Sequence, residues 1–457
     1  MNDRLLYPLS YSQQSLWLDL QMKLASPHYN EGGEIYINGS LDKGLISKAV
    51  NYLIANHEIL RTRIINKSDN PMQYVAEWNE KDIPFYDLTL YSEEKRTEEL
   101  NRILHRESRY KFDFEKENFF RCTLIQLEKE RFVFTIVVHH IIADGITTGL
   151  ITDKLSEYYN TLLKGEDIVE GQKGITFKDF VYREREWVGG KIAAKQLAYW
   201  KKTLDGCSKQ LKLPTDFERP QKKTFVGNKK YFTVEPILFN KLKDFSRKQK
   251  VTLNMTILAG LSTLYHFYSN QNDILIGTPI ANRNWGNNKL FGHFVNPVVI
   301  RTDFSLNPTF EELIKITRKN TFAGIANHKL PFIKVVRDLG LKSEGYYTPL
   351  IQVMFTFLSK ILPNSINLGG IEHFWKILDA NTAKFDIDIT FQEFEKELTV
   401  VMEYDTSLFK QETITKMYYD FETLLMRLIS NPDRRISIIL DEYETQNYLD
   451  NKLNYIF

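Results

Sequence analysis

Hydrophobic positions follow two periods along this chain, and the periods alternate in blocks. Between Asp42 and Ile54 the apolar pairs Leu45/Ile46, Ala49/Val50 and Leu53/Ile54 recur at four-residue steps, which predicts a helix with one buried face. Asp42 stands where such a helix needs an N-cap, and Ser10 and Ser12 stand likewise before Leu16, Trp17 and Leu20. The stretch Gly33 to Gly39 alternates at period two and reads as a strand. Thr123 to Leu127 reads as a short strand, and the β-forming run Phe132 to Val138 as a longer one. After Gly145, Ile146, Leu150, Ile151, Leu155 and Leu162 return at helical spacing.

Lys164 to Gly174 carries glycines and charges and reads as a surface connection. A charged helical segment is expected from Phe177 to about Leu204, with Trp187 and Trp200 on it. Cys207 to Asn228 contains Pro214 and Pro220 and reads as an extended crossover. The pattern restarts at Tyr231 to Val234 with a strand. A helix from Pro236 follows, then a buried helix from Thr252 bearing Leu253, Ile257, Leu261, Leu264 and Tyr265. Ile274 to Gly277, Val298 to Ile300, Leu350 to Phe357 and Leu398 to Tyr404 are further strands, and charged Asp441 to Phe457 reads as a tail. The expectation is a mixed α/β (α+β) chain with an N-terminal lobe over 1–175, a C-terminal lobe over 176–445, and a tail or linker over 446–457.

At 457 residues the chain is long enough for two ordinary domains or one fold with two halves. Sixty basic against 58 acidic residues leave a net charge of +2, which gives no reason to expect nucleic acid or an anionic membrane as partner. The two cysteines, Cys122 and Cys207, argue against a disulfide framework or a thiolate zinc site. No apolar run approaches the roughly 18 residues of a membrane span, and the N-terminus lacks the apolar core of a signal peptide. A cytoplasmic protein is the simplest reading. The chain has no phosphate loop, no dinucleotide glycine fingerprint, no Gly-x-Ser-x-Gly elbow and no His-Glu-x-x-His.

The densest chemistry lies at His139-His140-Ile141-Ile142-Ala143-Asp144-Gly145, where a predicted strand runs into a predicted helix. Side chains alternate along an extended segment, so one histidine faces packing and its neighbour the other side. Alternation alone does not say which. Histidines pointing apart chelate one ion poorly, so no metal is expected. Asp144 suits an N-cap, worth about 1 kcal/mol, or a partner for a buried arginine. Gly145 suits a special backbone angle or a close approach by substrate.

The wider set of motifs resembles the condensation domain of nonribosomal peptide synthetases, within the chloramphenicol acetyltransferase-like superfamily. Ser10 to Trp17 resembles the family's Ser-x-Ala-Gln-x-x-Leu-Trp, and Asn56 to Thr62 its Arg-His-Glu-x-Leu-Arg-Thr. His139 to Gly145 matches His-His-x-x-x-Asp-Gly. Phe177 to Val181 with Tyr199-Trp200 resembles the Tyr-x-Asp-Phe segment and its neighbour. Ile276 to Arg283 resembles Ile-Gly-x-Pro-Val-Ala-Gly-Arg, and Gly292 to Asn296 resembles Gly-x-Phe-Val-Asn. His328 to Phe332 resembles His-x-x-x-Pro-Phe with a spacing one residue shorter. Departures are Ala281-Asn282 for Ala-Gly, Pro297 where Thr is frequent, and Leu358-Ser359 where many members carry Gln-Asn.

The resemblance implies two acetyltransferase-like lobes in a V with a tunnel between them. It implies no tightly bound cofactor; phosphopantetheine arms of donor and acceptor carrier proteins would bring the substrates in. The acceptor's α-amine would attack the donor thioester to form an amide. By carry-over, His140 is the base or amine-positioning residue, His139 supports it, Asp144 anchors the loop through Arg283, the Gly145 backbone lies near the thioester, and Arg61 makes internal ion pairs. A following adenylation domain and a monomeric isolated domain are expected. Alternatives are a starter domain using a fatty acyl donor, an epimerization domain, an ester-forming acyltransferase, and a non-catalytic recruitment domain.

Overall fold

A computed structural model describes residues 5–22, 27–67, 70–168, 174–283, 286–341, 348–359 and 366–454. Its contacts divide the chain into two compact units, each assembled from separated stretches. The first comprises Met1–Ile192, Ala281–Val295 and Leu362–Ala380, and the second Ala193–Ile280, Asn296–Ile361 and Asn381–Phe457. The contacts therefore do not divide the chain at residue 175: the helix Phe177–Val188 and two later segments belong with the first unit.

The first unit is built on a five-stranded sheet in the order Glu372–Ile377, Asn30–Asn38, Arg131–His139, Phe120–Glu128, Phe85–Asp87. Arg131–His139 is its centre, antiparallel to both neighbours, with Asn30 opposite His139. Six of its nine residues, Phe132 to Phe134 and Ile136 to Val138, are apolar because both faces are covered. Phe134 and Ile136 join the larger core with Ile46, Ala49, Leu53, Ile151 and Leu155 of the helices Lys43–Asn56 and Gly145–Leu163. Val133 joins a smaller core with Ile103 and Leu104 of the helix Glu93–Ser108. Strand pairing is close at Gly32, whose φ is 133° and where an added Cβ would lie 1.9 Å from the Ile136 carbonyl oxygen. A separate small sheet orders Tyr7–Pro8, Asn70–Val75 and Thr62–Lys67.

The second unit carries a six-stranded sheet in the order Val295–Asp303, Asp273–Ala281, Val353–Leu358, Ile387–Glu393, Leu398–Asp405, Gly227–Thr233. Leu261 and Leu264 of Leu253–Ser269, and Met417 and Phe421 of Gln411–Ser430, line one small cavity with Ile389, Phe391, Val400 and Met402 of this sheet. The crossover before Gly227 is pinned by polar contacts. The Leu211 N–H donates to Gln352 Oε1 at 2.8 Å, and the two terminal guanidinium nitrogens of Arg219 grip Asp386.

Most predicted elements are present, with shifted ends. Asp42 caps its helix through the Leu45 N–H. Ser10, rather than Ser12, caps the helix Tyr11–Met22: its Oγ accepts from the Gln13 N–H while Gln13 Oε1 accepts from the Ser10 N–H. The charged segment from Phe177 is two helices, Phe177–Val188 and Lys191–Thr203, separated at Gly189-Gly190, where backbone freedom favours a break. Asp441 to Asn454 is not a tail but continues the helix Ile436–Asn454, because Ile436, Ile439, Leu440 and Tyr443 bury one helical face; residues 455–457 lie outside the described residues. No described helix is long and apolar enough to cross a membrane.

Glu184 is a buried acid within this frame. It is 2% exposed, and its Oε2 accepts from the Tyr11 N–H at 2.9 Å. Burial pushes its carboxyl up from 4.5 to about 7, against the opposing pull of that hydrogen bond and of Arg185. A carboxyl that holds its proton more tightly when folded stabilises the fold fully below its unfolded value, and that contribution is lost as pH rises through about 7. The full swing is on the order of 3 kcal/mol. Thermal melts followed by circular dichroism should show a midpoint falling between about pH 5 and 8, and a clearly flatter dependence in Glu184→Gln. Equal slopes in the two proteins would contradict this.

Candidate active site

The strand Arg131–His139 ends in a tight, buried connection to the helix Gly145–Leu163. Ile141, Ile142 and Ala143 are fully buried, and the Ile142 N–H turns back to the His139 carbonyl at 3.0 Å. The Ile141 carbonyl accepts from Gln13 Nε2 at 3.1 Å. Gln13 and Gln73 are themselves buried and exchange amide hydrogen bonds. The opening Ser-x-x-Gln motif thus holds one carbonyl of the histidine loop while capping its own helix.

Asp144 closes the loop. It is 1% exposed and serves as the N-cap of Gly145–Leu163, its Oδ1 accepting from the Thr147 N–H at 2.8 Å. The same oxygen accepts from Arg283 Nη2 at 2.8 Å, and Oδ2 accepts from the Phe294 N–H at 3.1 Å. Arg283 also donates to Thr147 Oγ1 and to the carbonyls of Asn287 and Leu290, and its guanidinium lies 4.5 Å from the Phe294 ring centroid. Thr147 Oγ1 donates to the Gly292 carbonyl at 2.7 Å. Residue 292 must be small, since a Cβ there would lie 2.5 Å from the Phe177 ring.

The two histidines meet different surroundings. His139 is 2% exposed among the rings of Phe112, Phe114 and Phe119, and its Nδ1 accepts from the Ile141 N–H at 3.1 Å. In the neutral ring its proton therefore sits on Nε2. The His140 side chain keeps 15% of its surface exposed. The His140 N–H donates to the Tyr29 carbonyl at 2.7 Å, and the two rings stack with centroids 6.1 Å apart. His140 Nδ1 lies 3.1 Å from Glu31 Oε2, and the His293 ring centroid lies 4.5 Å from that of His140.

Gly145 opens the helix and is exposed. Arg61 donates from Nη1 to the Ala76 carbonyl at 2.9 Å. His57 stacks on Phe291 at 3.9 Å. In the second unit, Asn296 Nδ2 donates to the carbonyls of His328 and Leu330 and its Oδ1 accepts from the Phe332 N–H, so two of the motifs form one structural joint. Sequence reading did not single out Glu31, Tyr29 or His293 as site residues. His293 fills the variable position of Gly-x-Phe-Val-Asn. Glu31 reaches His140 only through the register that sets Asn30 against His139.

A family model described as condensation domain matches residues 4–449. The chain belongs to the condensation-domain family. It is 35% identical over 435 residues to a component of the linear gramicidin synthase of Brevibacillus parabrevis, covering 94% of this chain and 8% of that protein. It is 30% identical to a dimodular nonribosomal peptide synthase of Bacillus subtilis (strain 168), covering 94% of this chain and 18% of that protein. This condensation domain therefore spans a small part of the curated relatives it matches. Its fold is similar to that of the X-domain from teicoplanin biosynthesis, with a TM-score of 0.86, 21% identity, and coverage of 96% and 97% of the two chains. It is also similar to the first condensation domain of the CDA synthetase, with a TM-score of 0.77, 17% identity, and coverage of 94% and 98%.

Removing one partner of a buried ion pair strands the other charge, at a cost of about 3–5 kcal/mol. Arg283→Met should therefore destabilise this domain by several kcal/mol in urea denaturation, and Asp144→Asn placed on top should add less than it costs alone. Additive losses across the double-mutant cycle would show the two groups to be energetically independent.

Proposed function

We propose that this domain joins a donor acyl or peptidyl thioester to the α-amine of an acceptor aminoacyl thioester, both presented on phosphopantetheine arms of carrier proteins. The observation that carries the reading is the complete His139–Gly145 motif, with His139 packed among rings and His140 partly exposed. In this account the domain works within a cytoplasmic multidomain synthetase, beside an adenylation domain, and holds no cofactor of its own. Isolated, it is a monomer.

The acceptor nitrogen attacks the donor carbonyl carbon, and a tetrahedral intermediate forms. The C–S bond then breaks as the amide forms. The proton lost by the amine passes to His140 and from there to the departing thiolate, so His140 ends as it began. A thioester is already activated, so this step consumes no nucleotide. Orientation of the two bound arms can supply about 7–11 kcal/mol of the barrier. A positioned imidazole contributes roughly 10²–10⁴-fold. Asp144 and Arg283 take no part in proton transfer, because both carboxylate oxygens and both terminal guanidinium nitrogens are engaged with each other, with Thr147 or with backbone groups.

Single-turnover condensation with both carriers loaded, read by intact mass, tests the proposal. Wild-type protein should form the amide-linked product with at least one member of a panel of aminoacyl and fatty-acyl donors. His140→Ala should slow that reaction by roughly 10²-fold or more with an unchanged circular dichroism melt. Full rate in His140→Ala would remove the imidazole from the chemistry. No product with any donor, with both carriers verified as loaded, would overturn the function.

A further inference from the structure

We propose that Glu31 is a positioning residue for His140, holding the imidazole proton on Nδ1 so that the Nε2 lone pair faces the attacking amine. The consequence for the amine rests on the condensation reading above; the tautomer does not. Glu31 Oε2 lies 3.1 Å from His140 Nδ1 without the alignment of a hydrogen bond, so the pairing is a charge–dipole contact that favours the proton on the nitrogen nearer the carboxylate; the two side chains are 25% and 15% exposed. A neutral imidazole carries one N–H, and an ionised carboxylate offers only lone pairs, so the nitrogen facing the carboxylate is the one that carries hydrogen. The other tautomer would set two lone pairs against each other at that distance.

The contact is held from several sides. Glu31 stands opposite Val138 in the ladder, one rung from the Asn30–His139 pair that ends it. The His140 backbone is tied to the Tyr29 carbonyl, and its ring lies 21° from parallel to the Tyr29 ring. Titratable groups beside His140 among the described residues include Glu31, Tyr29, the adjacent His139, and His293 at 4.5 Å. The Tyr29 hydroxyl donates to Asp19 at 2.8 Å, and Asp19 also lies 3.6 Å from His28. His139 Nδ1 is occupied by the Ile141 N–H. His293 can donate or accept and so does not fix a tautomer by itself. The Glu31 carboxylate, which only accepts, does.

Ring-nitrogen correlation spectra of the whole domain labelled with ¹⁵N-histidine test this without any substrate. The His140 signals are assigned by their loss in His140→Gln. At about pH 8.5, above the ordinary histidine range, wild-type His140 should show the Nδ1–H tautomer. Glu31→Leu should shift it toward Nε2–H and slow single-turnover condensation roughly 10²-fold. Glu31→Gln, which keeps an acceptor oxygen, should fall between. His293→Phe should keep Nδ1–H. Any other form of His140 in the wild type, an unchanged tautomer in Glu31→Leu, or a switch in His293→Phe would overturn the assignment. A tautomer shift in Glu31→Leu together with full rate in His140→Ala would retain the positioning contact and remove the base.

Discussion

Burying the Asp144 carboxylate and the Arg283 guanidinium is costly, because each loses its water. What offsets that cost here is the number of fixed dipoles around the pair. Asp144 accepts from the Thr147 and Phe294 N–H groups as well as from Arg283. Arg283 donates in turn to Thr147 and to the carbonyls of Asn287 and Leu290. Such a pair adds little net stability over an apolar substitute, but it tolerates few arrangements. It registers the 281–295 segment against the first turn of the helix Gly145–Leu163, and so sets where His293 stands beside His140.

The same logic explains why so many motif residues are buried polar groups. Gln13 and Gln73 satisfy each other and the Ile141 carbonyl. Asn296 gathers the backbone around His328 to Phe332. An unpaired buried amide costs about 1–3 kcal/mol, so each of these joints specifies its loop through the penalty for every other geometry. Among the motif residues of the histidine loop, His140 retains a partly exposed ring and a carboxylate neighbour.

Elements with a single clear period were legible in the sequence. The helix capped by Asp42 and the apolar strand ending at His139 needed only local pattern and an N-cap rule. The helix from Ile436 was not, because its charged outer face masked the buried Ile436, Ile439 and Tyr443. The place of Glu372–Ile377 in the first sheet was not legible either, since it pairs with Asn30–Asn38 across more than three hundred positions of chain. The site divided in the same way. His139, His140 and Asp144 lie in one short motif. Glu31 comes to His140 through strand register, and His293 through the segment that Arg283 and Phe294 fasten to Asp144; local spacing shows neither.

If Asp144 joins these segments as one unit, the amides it accepts from must open together. Native-state hydrogen exchange of the Thr147 and Phe294 N–H groups measures this directly. The same opening free energy is expected at both amides, and an equal loss of protection at both in Asp144→Ala. Different opening energies in the wild type, or loss at Thr147 with Phe294 unchanged, would mean that the carboxylate only caps its helix and that the loop is held by something else.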